Sequence, residues 1–350
     1  MKNGILKIHG RSVGEGQPVF IIAEVGVNHD GSITKAKKLI DVAVAAGADA
    51  VKFQMCNPDE MVTKTAPKAE YQKKNKTTES QYDMLWRYFF GVREHKLLMA
   101  YARKKGIIFF STPFSLKDAR ELVKLHMPIF KVGSSDTNNH PQLRIIAKSH
   151  VPIILSTGMA NLAEVKESVA VLRKAGAHHI IVLHCTTAYP TSDKDVNLRA
   201  MVTMHNSLHL PVGYSDHTPG TDVAVAAVAL GACIIEKHIT LSKKLLGPDH
   251  FASLEPQELV KLVQAIRRTE RILGTGIKGP TAGEKIIARV ARKSIVATRT
   301  IVKGEKIKAD DLTFKRPGIG LPPAQTGRLI GKRARRDIKK DEILSLSAVV

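Results

Sequence analysis

Between residues 19 and 273, short apolar runs alternate with helix-like segments, and the alternation yields eight runs. The runs are VFIIAE (19–24), DAVKFQ (49–54), IIFFST (107–112), PIFKVG (128–133), PIILST (152–157), HIIVLHC (179–185), LPVGYS (210–215) and ACIIEKH (232–238). Each is apolar nearly throughout rather than at every second residue, the pattern of parallel strands covered on both faces. Segments such as SITKAKKLIDVAVAAGA (32–48) and NLAEVKESVAVLRKAGA (161–177) lie between them and end in Gly-Ala, a helix stop. Eight β/α units over about 250 residues predict an α/β chain folded as a (β/α)8 TIM barrel. A doubly wound open sheet would use five to seven strands more typically, and no GxGxxG follows the first run.

The barrel pattern covers residues 1–273. A Gly- and Thr-rich stretch follows, LGTGIKGPTAGEK, with a linker expected at 274–287. Residues 288–350 read as a small, mostly β domain with 16 Lys/Arg against 6 Asp/Glu. Within it TIVKGEKIKADDL (300–312) is echoed by DIKKDEILSLSAV (337–349). The segment 55–92 is longer than a βα loop and its helix require, and its polar stretch predicts a lid or substrate wall.

The longest apolar run, VAVAAVALGACII (223–235), is too short for a membrane span, and the first residues lack the apolar core of a signal peptide. Three widely spaced cysteines read as reduced thiols in a cytoplasmic protein. A net charge of +22 raises nucleic acid as a partner, but the charge is dispersed, no nucleic-acid motif accompanies it, and aromatics are only 5%. The expectation is no nucleic acid and no membrane.

In a (β/α)8 barrel the chemistry sits at the C-terminal ends of the strands. Polar residues collect there in this chain. The ends carry Glu24, then Asn28, His29 and Asp30; Lys52 and Gln54; Ser111 and Thr112; Lys131, Ser134, Ser135 and Asp136. Further along come Ser156 and Thr157; His184, Thr187 and Tyr189; Ser215 and His217; and Glu236 and His238. Lysines and glutamates inside apolar strands are costly unless paired or functional. One such residue has a structural explanation; eight strand ends converging on one rim predict a site. Lys52, Lys131 and the hydroxyls suit a phosphorylated or carboxylated ligand. His217 and His238 with nearby carboxylates suit a divalent metal such as Mn2+, Co2+ or Zn2+. No cysteine set or third histidine supports a closed structural zinc site, so the pair predicts an open, catalytic one.

The motifs IIAEVGVNHDGS, AGADAVKFQ, APKAEYQKK, FSTPF, KVGSSDTNNHP, IILSTGMA, LHCTTAYPT, GYSDHTPG, IEKHITL, GPDHFASLEP and KRPGIG run along nearly the whole chain. Together they resemble the bacterial sialic acid synthases, with a C-terminal antifreeze-like (SAF) domain. That resemblance implies a transferase joining phosphoenolpyruvate to N-acetylmannosamine in a metal-dependent, aldol-type condensation, with C–O cleavage and phosphate release. It implies Mn2+, with Mg2+ or Co2+ as substitutes, held by His217 and His238, with Glu24 beside the metal and its water. Lys52, Lys131, Ser134, Ser156 and Ser215 match contacts to phosphoenolpyruvate, and Gln54, Tyr189 and Asp249 match contacts to the amino sugar. Arg316 matches an arginine that reaches the sugar's N-acetyl group across a domain-swapped homodimer. Asp136 stands where the pattern usually has Glu, and Thr187 where it has Asn or Thr; Glu24 and Asp136 are the candidates for proton transfer.

Three other readings compete. Synthases for N,N'-diacetyllegionaminate or related nine-carbon acids share nearly the same motifs. A Schiff-base aldolase would use Lys52 or Lys131 as nucleophile without metal. A polyanion-binding protein would explain the charge but not two histidines and a glutamate at strand ends.

Overall fold

The computed structural model describes residues 5–68 and 80–350, which fall into two compact units, Met1–Gly274 and Thr275–Val350. The first begins with an antiparallel hairpin, β1 (Leu6–Ile8) and β2 (Arg11–Val13), that the sequence reading did not anticipate. Its turn uses His9 and Gly10, both at positive φ, and its Ile8 and Val13 are buried in the main core.

Eight parallel strands follow: β3 (Phe20–Gly26), β4 (Ala50–Met55), β5 (Ile108–Pro113), β6 (Phe130–Val132), β7 (Ile153–Ser156), β8 (Ile180–Cys185), β9 (Val212–Asp216) and β10 (Ile234–His238). They coincide with the eight predicted runs to within a few residues at each end. The ladder runs β5-β4-β3-β10-β9-β8-β7-β6, so β3 pairs with β10 and the sheet curls into a barrel. Only its edges β5 and β6 meet without a ladder. The strands are buried along almost their full length, which explains why they read as continuous apolar runs.

The helices between them start and stop where the local chemistry dictates. Ser32 accepts the Lys35 amide at the head of the helix Ile33–Ala46, and Gly47 at φ 79° ends it. Asn161 and Glu164 form a reciprocal cap on Leu162–Lys174. These helices bury one face each against the barrel, Leu39 and Ile40 from the first and Val165 and Leu172 from the second. Each such aliphatic side chain stabilises the fold by about 1.5–3 kcal/mol. No helix among the described residues is long and apolar enough to cross a membrane.

In the second unit β11 (Ser294–Ala297) pairs antiparallel with β12 (Leu312–Lys315) over a small core that includes Ile295, Ile301, Ile307, Leu329, Ile338 and Leu344. The two echoed stretches meet there, Ile301 and Ile338 exchanging both backbone hydrogen bonds at 2.8 Å. A helix, Ala282–Ala291, occupies part of the expected linker because Thr281 and Glu284 cap its first turn.

Candidate active site

The strand period decides which side chains enter the mouth of the barrel. Ser215 and His217 face inward beside Glu236 and His238, while Asp216 and Lys237 between them point into the wall and pair with each other. A shift in the β3–β4 register falls between Glu24 and Gly26. Gly26, at φ 54°, leaves little room for a Cβ: one would lie 3.2 Å from the His238 ring and 3.3 Å from Gln54, in a backbone conformation that strains other residues. A glycine is therefore what lets the rim close around His238.

The inward residues enclose a cavity of about 230 Å³. Twelve of the fourteen predicted site residues line it: Glu24, Lys52, Gln54, Lys131, Ser134, Ser156, Thr187, Tyr189, Ser215, His217, His238 and Asp249. Asp136 is not among them. Placed in a 3-10 turn, its carboxylate accepts from Ser135 Oγ at 2.8 Å and Asn139 Nδ2 at 2.9 Å, bracing the start of the next helix. Burial lifts its pKa while those bonds oppose the rise. Arg316 belongs to the second unit, where it lies exposed just beyond β12. The expected lid falls partly on residues 69–79, outside the described residues; its described helix Gln81–Tyr88 gives Met84, Leu85 and Tyr88 to the cavity wall.

A buried quartet of charges forms the floor. Lys52 Nζ lies 3.2 Å from Glu24 Oε2 and 3.3 Å from Glu236 Oε1, and Lys131 Nζ lies 3.5 Å from the same Glu236 oxygen. Lys52 also donates to Thr112 Oγ1 at 3.2 Å, Gln54 to Glu24 Oε1 at 2.8 Å, and Ser215 to Glu236 Oε1 at 3.2 Å. Burial pushes the Glu24 carboxyl up to about 7, against the pull of Lys52. Burial also works against the charge on Glu236, but Lys131 and Lys52 outweigh it and hold this carboxylate well below the usual range. Burial depresses Lys131, whereas the two glutamates overcome it at Lys52 and raise that ammonium. Two carboxyls whose environments push them apart mark a site with separate acid and base duties.

The imidazoles sit above this floor with ring centroids 5.5 Å apart. Tyr189 lies against His217 at 4.1 Å and meets His238 edge-on at 5.8 Å. His217 Nδ1 donates to the Thr186 carbonyl at 2.8 Å, which leaves its Nε2 lone pair directed elsewhere. His238 Nδ1 is buried with no hydrogen-bond partner and lies 4.0 Å from Asp249 Oδ2. Burial lowers the His238 pKa well below its ordinary value and raises Asp249 to about 6. Among the described residues, four of the five buried side-chain atoms outside any hydrogen bond line this one cavity: Glu24 Oε2, Ser156 Oγ, Glu236 Oε2 and His238 Nδ1. Glu24 Oε2 keeps its ion pair with Lys52, and the other three polar atoms without a partner mark a surface shaped for a ligand.

Glu236 lines the cavity and pairs with both lysines, a place that the motif resemblance does not assign to it. Its signal is its spacing: two residues before His238 on a strand, it must share that histidine's face. Cys185, 3.8 Å from His217 Nδ1, and Thr112 also line the cavity; neither is unusual enough in the sequence to stand out.

A parallel eight-stranded barrel with charged and imidazole groups gathered at the C-terminal strand ends defines an enzyme of the TIM-barrel type. A NeuB family model matches residues 39–278 and a SAF domain model matches 292–350. The chain belongs to the NeuB family and carries a SAF domain at its C-terminal end. It is 46% identical to the N,N'-diacetyllegionaminic acid synthase of Campylobacter jejuni, over 93% of this chain and 98% of that one. It is 37% identical to the human N-acetylneuraminate-9-phosphate synthase, over 96% and 94%. Among solved structures, the N-acetylneuraminic acid synthetase of Leptospira borgpetersenii superposes with a TM-score of 0.72 at 36% identity, covering 81% of this chain and 95% of that one.

Proposed function

We propose that the protein is a phosphoenolpyruvate-dependent synthase of nine-carbon keto sugar acids, and that its product is N,N'-diacetyllegionaminate. The observation that carries the reaction class is the single small cavity in which Lys52, Lys131, Ser134, Ser156 and Ser215 face the imidazoles of His217 and His238. The sequence alone favours N-acetylmannosamine as the acceptor. The 46% relative, named for legionaminate, moves the preference to 2,4-diacetamido-2,4,6-trideoxymannose. N-acetylmannosamine remains the second reading, supported by the N-acetylneuraminic acid synthetase likeness.

The residues divide the work as follows. Lys52 and Lys131, with the Ser134, Ser156 and Ser215 hydroxyls, bind the phosphate and carboxylate of phosphoenolpyruvate. Phosphoenolpyruvate C3 attacks the aldehyde carbon of the open-chain sugar, and water adds at the C2 cation that develops. The resulting tetrahedral carbon loses phosphate as its C–O bond breaks. Glu236, held ionised between the lysines, fixes their ammonium groups. Glu24, poised near neutrality, takes the proton that water releases as it adds, and the alkoxide formed from the aldehyde gains one in turn. Gln54, Tyr189 and Asp249 hold the sugar. Asp136, whose carboxylate lies outside the cavity, supports the turn that presents Ser134.

With Glu24 protonated, the quartet carries only one net positive charge, too little for a trianionic substrate. A divalent cation, Mn2+ by preference, fits the donor set: His217 oriented by its Thr186 hydrogen bond and His238 with a free buried nitrogen. Bound there it would supply Lewis-acid polarisation of the aldehyde oxygen and the missing positive charge. No cluster of three or more His, Cys, Asp or Glu side chains among the described residues forms a preassembled cage, so the pair is an open donor set.

We also propose a homodimer in which the SAF domain is exchanged and Arg316 reaches the sugar in trans. Its support is the family and the exposed apolar face of Ile286, Ile287 and Val290 on the helix Ala282–Ala291.

The test is phosphate release from phosphoenolpyruvate with each sugar, with Mn2+ and with chelator. Metal-dependent release with the diacetamido sugar establishes the reading; faster release with N-acetylmannosamine establishes the second. Chelator-resistant turnover trapped by borohydride would instead identify a Schiff-base aldolase.

A further inference from the structure

One buried polar cluster lies behind the cavity and takes no part in the chemistry above. Lys237 Nζ donates to Asp216 Oδ2 at 2.7 Å and to the Thr218 carbonyl at 2.5 Å. Asp216 Oδ1 accepts from the Thr218 amide at 2.8 Å and from its hydroxyl at 2.7 Å. The side chains of Lys237 and Asp216 are 1% and 0% exposed. A buried ion pair is weak evidence for stability, since an apolar pair of similar volume commonly does as well. Its position invites another account.

The cluster flanks both imidazoles in the chain. Asp216 precedes His217, Thr218 follows it, and Lys237 precedes His238. The Asp216 carboxylate closes on the Thr218 amide and so clamps the backbone on either side of His217. Lys237 ties that clamp to the strand that carries His238, in register with Asp216. The Thr191 amide holds the His217 carbonyl at 2.9 Å, and the Leu254 amide holds that of His238 at 2.8 Å. Both imidazoles therefore stand on backbone that is hydrogen-bonded on either side of them.

We infer that Asp216, Thr218 and Lys237 form a positioning brace that fixes His217 and His238 at the separation a shared divalent cation requires, and so sets cation affinity. The inference rests on reading those histidines as cation donors. Groups that orient metal ligands without touching the metal typically contribute about 10–100-fold to affinity.

The experiment measures Mn2+ binding to the full chain by calorimetry and the visible spectrum of the Co2+ form. Lys237→Met should weaken Mn2+ binding about 10–100-fold and shift the Co2+ bands. Thr218→Val, which removes one bond and keeps the shape, should weaken binding about 3–10-fold and decides the matter if Lys237→Met does not fold. Arg267→Met, which breaks an ion cluster at the opposite end of the barrel, should lower the melting temperature and leave Mn2+ affinity at the wild-type value. Wild-type Mn2+ affinity in the folded Lys237 and Thr218 variants overturns the brace. A different result, wild-type protein binding Mn2+ no better than His217→Ala, overturns the donor reading beneath it.

Discussion

The two ends of the barrel bury charges of the same kinds and settle them in opposite ways. At the N-terminal end Asp49 accepts from the Ile21 amide at 2.8 Å and from Arg267 at 3.1 Å, and it also pairs with Arg11. Arg267 goes on to the Val19 carbonyl and to Glu270, each at 2.8 Å, and Glu270 accepts the Val19 amide at 2.6 Å. These charges tie the first hairpin and the last barrel helix to the strand starts, and the guanidiniums keep part of their surface in water. At the C-terminal end Glu24, Lys52, Lys131 and Glu236 are almost wholly buried, approach no closer than 3.2 Å, and leave one oxygen of each glutamate outside any hydrogen bond. The same charge types thus hold the chain together at one end and wait for a partner at the other.

Substitutions separate the two ends. The largest effect on activity is expected from His217→Ala and His238→Ala, each lowering turnover by about 10³-fold or more while the protein stays folded. Chelation should reproduce that loss in the wild type, and added Mn2+ should reverse it; turnover near wild type in either variant removes the cation from the account. Next comes Lys131→Met, expected to cut kcat/KM for phosphoenolpyruvate by about 10²–10³-fold. Its loss also leaves the buried Glu236 carboxylate to Lys52 alone, so the melting temperature should fall modestly. Asp49→Asn should act on stability alone. It should cost about 2–3 kcal/mol in denaturant unfolding, less than a fully dry pair because its partners are wet, and leave turnover per folded molecule intact. An Asp49 variant with wild-type stability would dissolve the contrast between the ends.

The barrel was legible in the sequence because burial on both faces makes each strand an unbroken apolar run. The rim was legible for the same reason: Lys52, Lys131 and His238 interrupt runs that otherwise exclude polarity. Glu236 interrupts one too, but its partnership with both lysines depends on three strands meeting in space, which no local pattern records. Asp136 shows the converse case. Motif position put it in the site, yet a side chain one methylene shorter than glutamate closes on its own turn through Ser135 and Asn139. The hairpin at Leu6–Val13 escaped notice because its strands are three residues each, below the length at which alternation is informative. The helix at Ala282–Ala291 was hidden by the Gly- and Pro-rich stretch before it, although Thr281 and Glu284 spell out its cap.

The smallest effect discriminates most finely, because it concerns one hydroxyl. Ser156 Oγ is buried at the end of β7 and makes no hydrogen bond. Removing it in Ser156→Ala therefore breaks nothing in the free protein, and stability should hold within about 0.5 kcal/mol. If the hydroxyl meets an anionic oxygen of phosphoenolpyruvate, that bond is worth about 1.5–3 kcal/mol, and KM should rise by about 10–100-fold with kcat nearly unchanged. Ser168, on a helix outside the cavity, supplies the contrast: its hydroxyl lies 2.6 Å from the Thr137 carbonyl and 2.8 Å from that of Glu164. Ser168→Ala should cost about 1 kcal/mol of stability and leave KM alone. A hydroxyl committed to the chain should register in the melting curve and an uncommitted one in the substrate titration. The same response from both would mean that the orphaned atoms of the rim do not mark where the substrate binds.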